Sequence, residues 1–363
     1  MRERCIRPVF RKKAVDFRTL STARCGFMSD GILAKPSALL VGNLPALEMA
    51  YPPELRRDIA VRVELSDVSM DSRTWRNHAD SLAGVRVILG TWGLPRMDAE
   101  FLAAAPNLEA VFYAAGSVKG FVTPESFERG ITVCNANKAN AIPVAEYAAS
   151  AIVLSLKRFW QHGRKTHQAK TWRHLTVPGV YRSVVGLVSL GAVGRLTAER
   201  LRSYELDVLA YDPFASPEQA AALGVRLVSL EEIFSRSDVV SLHAPWLPET
   251  ENLVDGRLLR LMKPGATLLN TSRGAVVNER ELCAVLAERS DLTAVLDVTF
   301  PEPPAPDSPL FLLDNVFLTP HISGSMGGEV SRMGVWMVEE MRRYLEGEAL
   351  HHAVTEPMLA SMA

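Results

Sequence analysis

The sequence predicts an α/β protein with two domains of the Rossmann or flavodoxin type, each built on a parallel sheet. Short apolar segments typical of strands alternate with helix-like segments along most of the chain, and parallel strands need such long crossovers between them. A glycine-containing turn at residues 185–195 is followed by a second series of such segments. The length of 363 residues also favours about two domains over one small core.

The first series of elements precedes this turn. A helix-like stretch is predicted at residues 98–104, and a long apolar helix is predicted over 143–159 because Pro143 suits the first turn of a helix. The strands of this series are predicted at residues 38–42, 59–65, 85–90, 108–113 and 131–134.

Residues 160–182 are polar and irregular, but they carry Trp160, Trp172 and Tyr181. A long irregular stretch inside a compact domain needs a reason, and covering a neighbouring subunit is a common one. We therefore expect an arm that contacts a second subunit. The alternative is a surface loop whose aromatic side chains pack onto their own domain.

The second series of elements is typical of a full dinucleotide-binding sheet, which has about six strands. Residues 327–344 then form an amphipathic helix. Its apolar positions are interpreted as a core face rather than a cofactor site, and they are Val330, Met333, Trp336, Met337 and Met341. The strands that follow the turn are predicted at 207–211, 225–228, 238–242, 266–270, 292–297 and 316–319.

Composition excludes several functions. The 40 basic and 41 acidic side chains leave no net field that favours nucleic acid or an anionic membrane surface. The cysteines lie far apart without the spacing of a zinc site, so no metal is expected and a reduced, cytoplasmic compartment fits best. No uninterrupted apolar run reaches the roughly 18 to 20 residues of a membrane span.

The N-terminal residues 1–30 differ from the rest of the chain. They are rich in arginine and lysine, with Glu3 and Asp16 as the acidic residues of the first 27, and they show little hydrophobic pattern. We expect a disordered extension, or a start at Met28. A targeting peptide is the alternative.

The turn at residues 185–195 reads V-G-L-V-S-L-G-A-V-G-R, which predicts a strand, a tight turn and the N-terminus of a helix. Its backbone N–H groups suit a pyrophosphate, because glycine has no Cβ and the helix dipole favours negative charge. The turn departs from G-x-G-x-x-G, since Ser189 replaces the first glycine and leaves Gly191 and Gly194. Asp212, about 20 residues on, suits a ribose 2′-OH and repels a 2′-phosphate, so NAD is favoured over NADP.

Three polar side chains, Arg273, Glu302 and His321, follow predicted strands of the second series. The carboxyl ends of parallel strands meet in one crevice, so we expect the three to converge. A guanidinium polarises a ketone oxygen and binds a carboxylate, and a histidine donates a proton near neutral pH. Glu302, against the other ring nitrogen, would stabilise the imidazolium. Singly, each residue also fits a structural role, such as a surface ion pair.

Further motifs occur in a fixed order after the turn. They are L-H-A-P-W-L-P-E-T at 242–250, L-L-N-T-S-R-G-A-V-V at 268–277, L-D-V-T-F-P-E-P at 296–303 and P-H-I-S-G at 320–324. With them, the chain from about residue 38 to about residue 344 resembles the D-isomer-specific 2-hydroxyacid dehydrogenases. The resemblance covers both glyoxylate/hydroxypyruvate reductases and phosphoglycerate dehydrogenases. The family also holds formate dehydrogenase and the C-terminal-binding-protein corepressors.

The resemblance implies a site for NAD and a D-2-hydroxy acid. It assigns Arg273, Glu302 and His321 as the catalytic residues, with Arg273 on the substrate and His321 as general acid and base. Backbone amides around Ala115, Gly116 and Ser117 are implied to hold the substrate carboxylate, and Asp297 to lie near the nicotinamide carboxamide. The cofactor contacts implied are Ser189, Gly191, Ala192, Val193, Gly194, Asp212, His243, Pro245, Thr271, Ser272, Asp297 and Gly324.

Several positions depart from the family pattern. Lys119 stands in the substrate loop, residues 116–120, where it would meet an acidic or polyhydroxy substrate or face solvent. Trp92 and Met326 are further candidates for the side-chain pocket of the substrate. Trp246 and its neighbour replace a common Leu-Thr pair, and Tyr147 stands where histidine usually follows V-A-E.

The resemblance also implies a domain layout. The substrate domain is discontinuous, with residues 31–137 joined by 325–348, and the NAD-binding domain spans 138–324. Residues 1–30 are the extension and 349–363 a C-terminal tail. A homodimer through the NAD-binding domain is expected.

Two other functions stay open. Formate oxidation fits the proline-rich run after Phe300, but the formate enzymes carry glutamine at the Glu302 position. Formate gives up its hydride without proton transfer to oxygen, so Glu302 favours a hydroxy acid. An NAD(H)-sensing binding protein of the corepressor kind is the second alternative, because its members keep a dehydrogenase-like site.

Overall fold

The structure is a computed structural model that describes residues 34–360 and 362, so the N-terminal extension expected at 1–30 lies outside the described residues. The part of the chain that precedes residue 136 alternates strands and helices. In chain order these are β1 (Ser37–Val41), α1 (Leu44–Ala50), α2 (Pro53–Arg62), β2 (Glu64–Met70), β3 (Val87–Gly90), α3 (Ala99–Ala104), β4 (Ala110–Tyr113), α4 (Pro124–Glu128) and β5 (Thr132–Asn135).

The second part of the chain begins with two consecutive helices, α5 (Asn137–Leu156) and α6 (Phe159–Ala169). The alternating series then continues to the C-terminus. It comprises β6 (Val184–Val188), α7 (Ala192–Leu201), β7 (Asp207–Tyr211), α8 (Pro217–Ala222), β8 (Arg226–Leu227), α9 (Leu230–Arg236), β9 (Val239–Leu242), α10 (Gly256–Leu261), β10 (Thr267–Asn270), α11 (Glu279–Glu288), β11 (Thr293–Leu296), β12 (Val316–Leu318), α12 (Gly328–Leu345) and β13 (Ala353–Val354).

These strands form two sheets, as predicted. The first has the order β13-β5-β4-β3-β1-β2, and its strands are parallel except β13, which pairs antiparallel with β5. The second has the order β12-β11-β10-β9-β6-β7-β8 and is parallel throughout. Because the connection reverses direction between β6 and β9, the loops after these two strands diverge and leave a crevice at their carboxyl ends.

The long C-terminal helix returns to the first sheet. On α12 the side chains of Val330, Met333, Met337 and Met341 are buried with Phe112 of β4, so the core face predicted for this helix is confirmed. Trp336, the fifth predicted position, is partly buried and stacks on His352 with ring centroids 4.9 Å apart. In the segment expected as a tail at 349–363, Ala353–Val354 form β13 of the first sheet.

Two boundaries predicted from the sequence are wrong. The strand expected at 59–65 is helical as far as Arg62, and β2 begins at Glu64. Leu55, Ile59 and Val63 lie four residues apart and face the core, so the helical spacing outweighed the short alternation. The helix expected to start at Pro143 starts at Asn137, and Pro143 is buried inside it.

The segment 160–182 is also more regular than predicted, because its first part is α6. No residue of α6 is buried, although Trp160 contacts Phe317 of β12 with ring centroids 6.0 Å apart. Residues 170–183 are irregular, as expected, and Trp172 and Tyr181 are 83% and 62% exposed.

Within the described residues, α5 is long and apolar enough to cross a membrane by length and composition alone. Most of its length is buried inside the protein, and Ile152 and Leu156 pack in the core of the second sheet. This burial is that of a core helix.

Candidate active site

The glycine turn has the geometry of an anion cradle. Gly191 caps the N-terminus of α7 and is exposed together with Ala192. A Cβ on Gly194 would lie 2.1 Å from the Ser189 carbonyl oxygen, so this position requires glycine for the helix to approach the turn. Ser189 itself has φ of +81°, in the left-handed region that favours glycine. The serine therefore occupies the backbone conformation of the glycine that it replaces.

Asp212 ties the turn to the end of β7. Its Oδ2 accepts the N–H of Leu190 at 2.7 Å and the Ser189 hydroxyl at 3.4 Å. Its Oδ1 accepts the N–H groups of Phe214 and Ala215 at 2.8 and 3.0 Å. The carboxylate is therefore fixed beside the turn, where the sequence predicted a contact with ribose.

A small cavity of about 90 Å³ brings together predicted residues from both domains. The substrate loop contributes Gly116 and Ser117. The segments after the ends of β6, β9 and β10 contribute the residues on the cofactor side. Asn137 and Asn140 of α5 also line the cavity, and the sequence did not indicate them, because the helix was predicted to start at Pro143. The predicted residues on the cofactor side are Val193, His243, Thr271, Ser272 and Arg273.

The backbone N–H groups at the start of the substrate loop differ in whether they already have a hydrogen-bond acceptor. The N–H of Ala115 donates to the Tyr113 carbonyl at 2.8 Å, and the contact expected between this amide and a substrate carboxylate stays a prediction. The loop curls back on the end of β4 and uses that amide itself. Within the described chain, the N–H groups of Gly116 and Ser117 have no acceptor, and the Asn135 side chain holds the loop by donating to the Gly116 carbonyl at 2.9 Å.

Two buried polar atoms in this cavity lack a partner within the described part of the protein. They are Nδ1 of His243 and Oγ1 of Thr271, whose residues are 8% and 6% exposed. The other ring nitrogen of His243 contacts the Ser241 hydroxyl at 3.0 Å, and burial lowers the pKa of His243 to about 4. Buried polar groups are normally satisfied, so a neutral imidazole and a hydroxyl without partners suit a polar ligand such as the sugar of a dinucleotide.

Arg273 follows β10 in a loop that Asn270 shapes. The Asn270 amide donates to the Arg273 carbonyl at 3.0 Å, and its oxygen accepts the Ser272 N–H at 3.0 Å and the Ser272 hydroxyl at 2.8 Å. The Arg273 guanidinium donates to the Ser272 carbonyl at 2.7 Å. Burial lowers the pKa of Arg273, and the nearby Glu302 carboxylate acts in the opposite direction. An anionic ligand in the cavity would stabilise this cation.

Gly274 lets the loop of Arg273 pack against the loop of Glu302. A Cβ on Gly274 would lie 2.0 Å from the Thr299 carbonyl carbon and 2.6 Å from the Phe300 nitrogen. Any side chain at this position would therefore displace the peptide two residues before Glu302. The G in L-L-N-T-S-R-G is a packing requirement of the site.

Glu302 and His321 form a direct pair. Oε1 of the glutamate lies 2.6 Å from Nδ1 of the imidazole, and the two side chains are 42% and 45% exposed. With Nδ1 engaged by a carboxylate, the Nε2 atom is the one free to exchange a proton with a ligand. Neither side chain lines the small cavity, although Glu302 acts on Arg273 electrostatically.

Asp297 organises the loop that carries His321. Its side chain is 1% exposed, and its two oxygens accept the Thr319 hydroxyl at 2.6 Å and the N–H groups of Ile322 and Ser323 at 2.8 Å each. Its carbonyl accepts the His321 N–H at 2.9 Å. His321 has φ of +54°, so this loop holds a non-glycine residue in the left-handed region.

The remaining predicted residues lie around this site without lining the cavity. Lys119, Trp92 and Met326 are exposed, the latter two by 37% and 55%. Gly324 lies against the Asn140 amide, which also accepts the Ser325 N–H at 2.9 Å. Pro245 is partly exposed, and its carbonyl accepts the Thr250 hydroxyl. Among the described residues, no group of acidic, histidine or cysteine side chains has the arrangement of a metal site.

Comparison with known proteins gives the family. Residues 150–323 match the model of the D-isomer specific 2-hydroxyacid dehydrogenase, NAD binding domain. D-3-phosphoglycerate dehydrogenase of Mycobacterium tuberculosis is 36% identical over 260 residues, which cover 71% of this chain and 49% of that protein. Glyoxylate reductase of Korarchaeum cryptofilum is 32% identical over 268 residues, covering 72% and 81%. The solved glyoxylate reductase from Paecilomyes thermophila has a TM-score of 0.72 at 21% identity, covering 90% and 100%.

The chain therefore belongs to the D-isomer-specific 2-hydroxyacid dehydrogenase family, as the motifs predicted. Residues 150–323 are the NAD-binding domain of this family, and the cofactor is NAD. The likeness to the Paecilomyes structure concerns the fold. The chain spans about half the length of the phosphoglycerate dehydrogenases that it matches.

Proposed function

We propose that this protein transfers a hydride between NAD(H) and C2 of a D-2-hydroxy acid or 2-keto acid. The observation that carries the proposal is the Glu302–His321 pair, whose oxygen and nitrogen are 2.6 Å apart, beside the loop of the half-buried Arg273. Reduction of a ketone to an alcohol consumes one hydride and one proton. A histidine paired with a carboxylate supplies the proton, and such a pair has no task in a reaction without proton transfer.

The chain's own residues divide the work by their position. The free amides of Gly116 and Ser117 and the guanidinium of Arg273 bind the substrate carboxylate across the cavity. Arg273 also polarises the carbonyl oxygen that becomes an alkoxide. Nε2 of His321 donates a proton to this oxygen in reduction and removes it in oxidation. Glu302, at Nδ1, stabilises the imidazolium and fixes the ring orientation.

When bound, the nicotinamide of NAD supplies or accepts the hydride. The amides at the start of α7, where Gly191 and Ala192 are exposed, suit its pyrophosphate. Asp212 already accepts four hydrogen bonds, and a ribose hydroxyl would replace the longest of them, the 3.4 Å bond from the Ser189 hydroxyl. Its negative charge opposes the 2′-phosphate of NADP. The unpartnered atoms of His243 and Thr271 would receive polar groups of the same cofactor.

Turnover separates this proposal from its alternatives. We expect NADH oxidation with glyoxylate, hydroxypyruvate or a longer 2-keto acid, and no formate oxidation. NADH binding without turnover on any of these acids would contradict the proposal and favour a binding protein of the corepressor kind. His321→Ala should abolish turnover while NADH affinity, measured by fluorescence titration, stays within about tenfold of the parent. Equal losses in both quantities would count against proton transfer by His321.

We further propose a homodimer through the NAD-binding domain. The arm, residues 160–182, carries Trp172 and Tyr181, which are 83% and 62% exposed in the single chain, and the preceding Phe159 is 54% exposed. Large aromatic side chains left in water are typical of surfaces that a partner covers. Sedimentation should give a dimer, and Trp172→Ser with Tyr181→Ser should weaken it. A monomeric parent protein would refute the proposal.

We also propose a cytoplasmic location. Cys134 and Cys283 are free thiols, as expected in a reducing compartment. Cell fractionation with marker enzymes tests this, and recovery of the protein in a secreted or organellar fraction would contradict it.

A further inference from the structure

The proposed proton donor stands in a loop whose anchor is deeper in the protein. Asp297 receives three hydrogen bonds from residues 319–323, and its side chain is almost fully buried. The strained backbone of His321 persists because its neighbours on both sides are held by this one carboxylate. Any group that orients Asp297 or Thr319 therefore also orients His321.

Tyr147 of α5 contacts this anchor from outside. Its hydroxyl lies 3.3 Å from the Thr319 hydroxyl, which lies 2.6 Å from Oδ1 of Asp297. An ionised carboxylate only accepts hydrogen bonds, so the single proton of Thr319 points to Asp297. Tyr147 must then be the donor to Thr319. The three side chains form a chain of hydrogen bonds with a defined direction, from Tyr147 through Thr319 to Asp297.

We propose that Tyr147 is a positioning residue for His321, acting through Thr319 and Asp297. A hydrogen bond received by the Thr319 hydroxyl strengthens the one that it donates. That second bond, together with the N–H groups of Ile322 and Ser323, holds the histidine loop over β11. The helix that crosses between the two sheets thus contributes to the geometry of the Glu302–His321 pair without touching it.

Tyr147 has a neighbour on α5 that serves as a control for this contact. Tyr147 lies beside a cavity of about 370 Å³ that Ser150 and Ile322 also line. Ser150, one turn along α5, donates to the Glu146 carbonyl of its own helix at 2.8 Å and makes no hydrogen bond to the histidine loop within the described part of the chain. Ser150→Ala is therefore a matched control, since it removes a hydroxyl from the same helix and the same cavity.

The test is a double-mutant cycle between Tyr147→Phe and Thr319→Val, and it rests on the proposed function for its kinetic readout. Tyr147→Phe should lower kcat about fivefold, as for one neutral hydrogen bond, with the KM for NADH unchanged. Thr319→Val should lower kcat by about 10-fold to 100-fold, because it removes a bond to a charged group, and Thr319→Ser should restore most of it. When Thr319→Val is already present, Tyr147→Phe should have no further effect.

The pH profile of kcat should shift in Tyr147→Phe and stay unchanged in Ser150→Ala, because only the first alters the Glu302–His321 geometry. Losses that multiply in the double variant, or a Tyr147→Phe protein with the kcat and pH profile of Ser150→Ala, would overturn the proposal.

Hydrogen exchange gives a readout that needs no turnover. The amides of Ile322 and Ser323 should exchange faster in Tyr147→Phe than in the parent or in Ser150→Ala. Faster exchange in a protein without dehydrogenase activity would refute the proposed function while supporting the role of Tyr147. Unchanged exchange would refute that role whatever the activity.

Discussion

Replacement of Gly274 by alanine tests whether the loops of Arg273 and Glu302 must pack as closely as observed. The new Cβ would lie 2.0 Å from the Thr299 carbonyl carbon, 2.1 Å from its oxygen and 2.6 Å from the Phe300 nitrogen. All three atoms belong to one peptide group, so no side-chain rotation relieves the overlap. The backbone before Glu302 has to move away from Arg273.

The size of the effect follows from this overlap. Overpacking a well-packed site costs about 1–3 kcal/mol, and a clash with backbone places Gly274→Ala at about 3 kcal/mol. Turnover should suffer more than stability at assay temperature, because a displacement of about 1 Å in a catalytic group costs about 100-fold in rate. We therefore expect kcat to fall by about 100-fold in a protein that still folds.

Gly84→Ala is the matched control for this experiment. A Cβ at Gly84 meets nothing within 4 Å, and the residue lies in an exposed turn outside both the site and the arm. Urea unfolding gives the free energies of unfolding, and NADH oxidation gives kcat. A Gly274→Ala protein with the stability and turnover of Gly84→Ala would refute the packing argument.

Three further predictions concern stability. Ser189→Gly should raise the free energy of unfolding by about 0.5 to 1 kcal/mol, because the relief of left-handed strain exceeds the entropy that glycine adds to the unfolded chain. The NADH affinity of this variant should stay within about tenfold of the parent. Burial lowers the pKa of His243 from 6.5 to about 4, so between these pH values the unfolded chain binds a proton that the folded protein does not. The free energy of unfolding should therefore fall by about 3 kcal/mol as pH drops from 6.5 to 4. In urea titrations His243→Asn should lack this part of the pH dependence. Glu340→Ala should lower the free energy of unfolding by about 2–3 kcal/mol, because buried Glu340 accepts the N–H groups of His351 and His352. Glu340→Gln should cost less, and equal losses in the two variants would contradict this account.

The order of the parallel strands followed from the sequence better than the local backbone did. Arg273, Glu302 and His321 were indicated by their places after strands, and the parallel order of the second sheet brings those strand ends to one edge. The residue pattern could not predict which backbone N–H groups are free to bind a ligand, as the Ala115 N–H shows. Whether an amide points at a ligand or at its own chain depends on the path of a loop, and no residue pattern encodes it.

The helix boundaries failed for a related reason. Proline is favoured in the first turn of a helix, so the sequence predicts a helix start at Pro143. In the structure α5 begins six residues earlier at Asn137, and residues of this helix before and after Pro143 pack in the two cores, Ala139 in the first and Ala148 in the second. This error removed Asn137 and Asn140 from the predicted site, although both line the cavity.

The two aspartates of the site perform the same task at its two ends. Ser189 and His321 are both non-glycine residues with positive φ, a conformation that costs about 1–3 kcal/mol and persists only where the surroundings enforce it. Asp212 accepts the N–H that follows Ser189, and Asp297 accepts the N–H that follows His321. Each lies just beyond the end of a strand beside the strained loop.

Their expected contacts with NAD therefore coincide with a second role that residue type alone did not reveal. An aspartate supplies the acceptor that permits a left-handed residue, and the left-handed residue turns the loop toward the crevice. Replacement of either aspartate by alanine should consequently disturb the loop as well as the cofactor contact. Asparagine retains one side-chain acceptor oxygen, and we expect it to preserve the loop better than it preserves NADH affinity at Asp212.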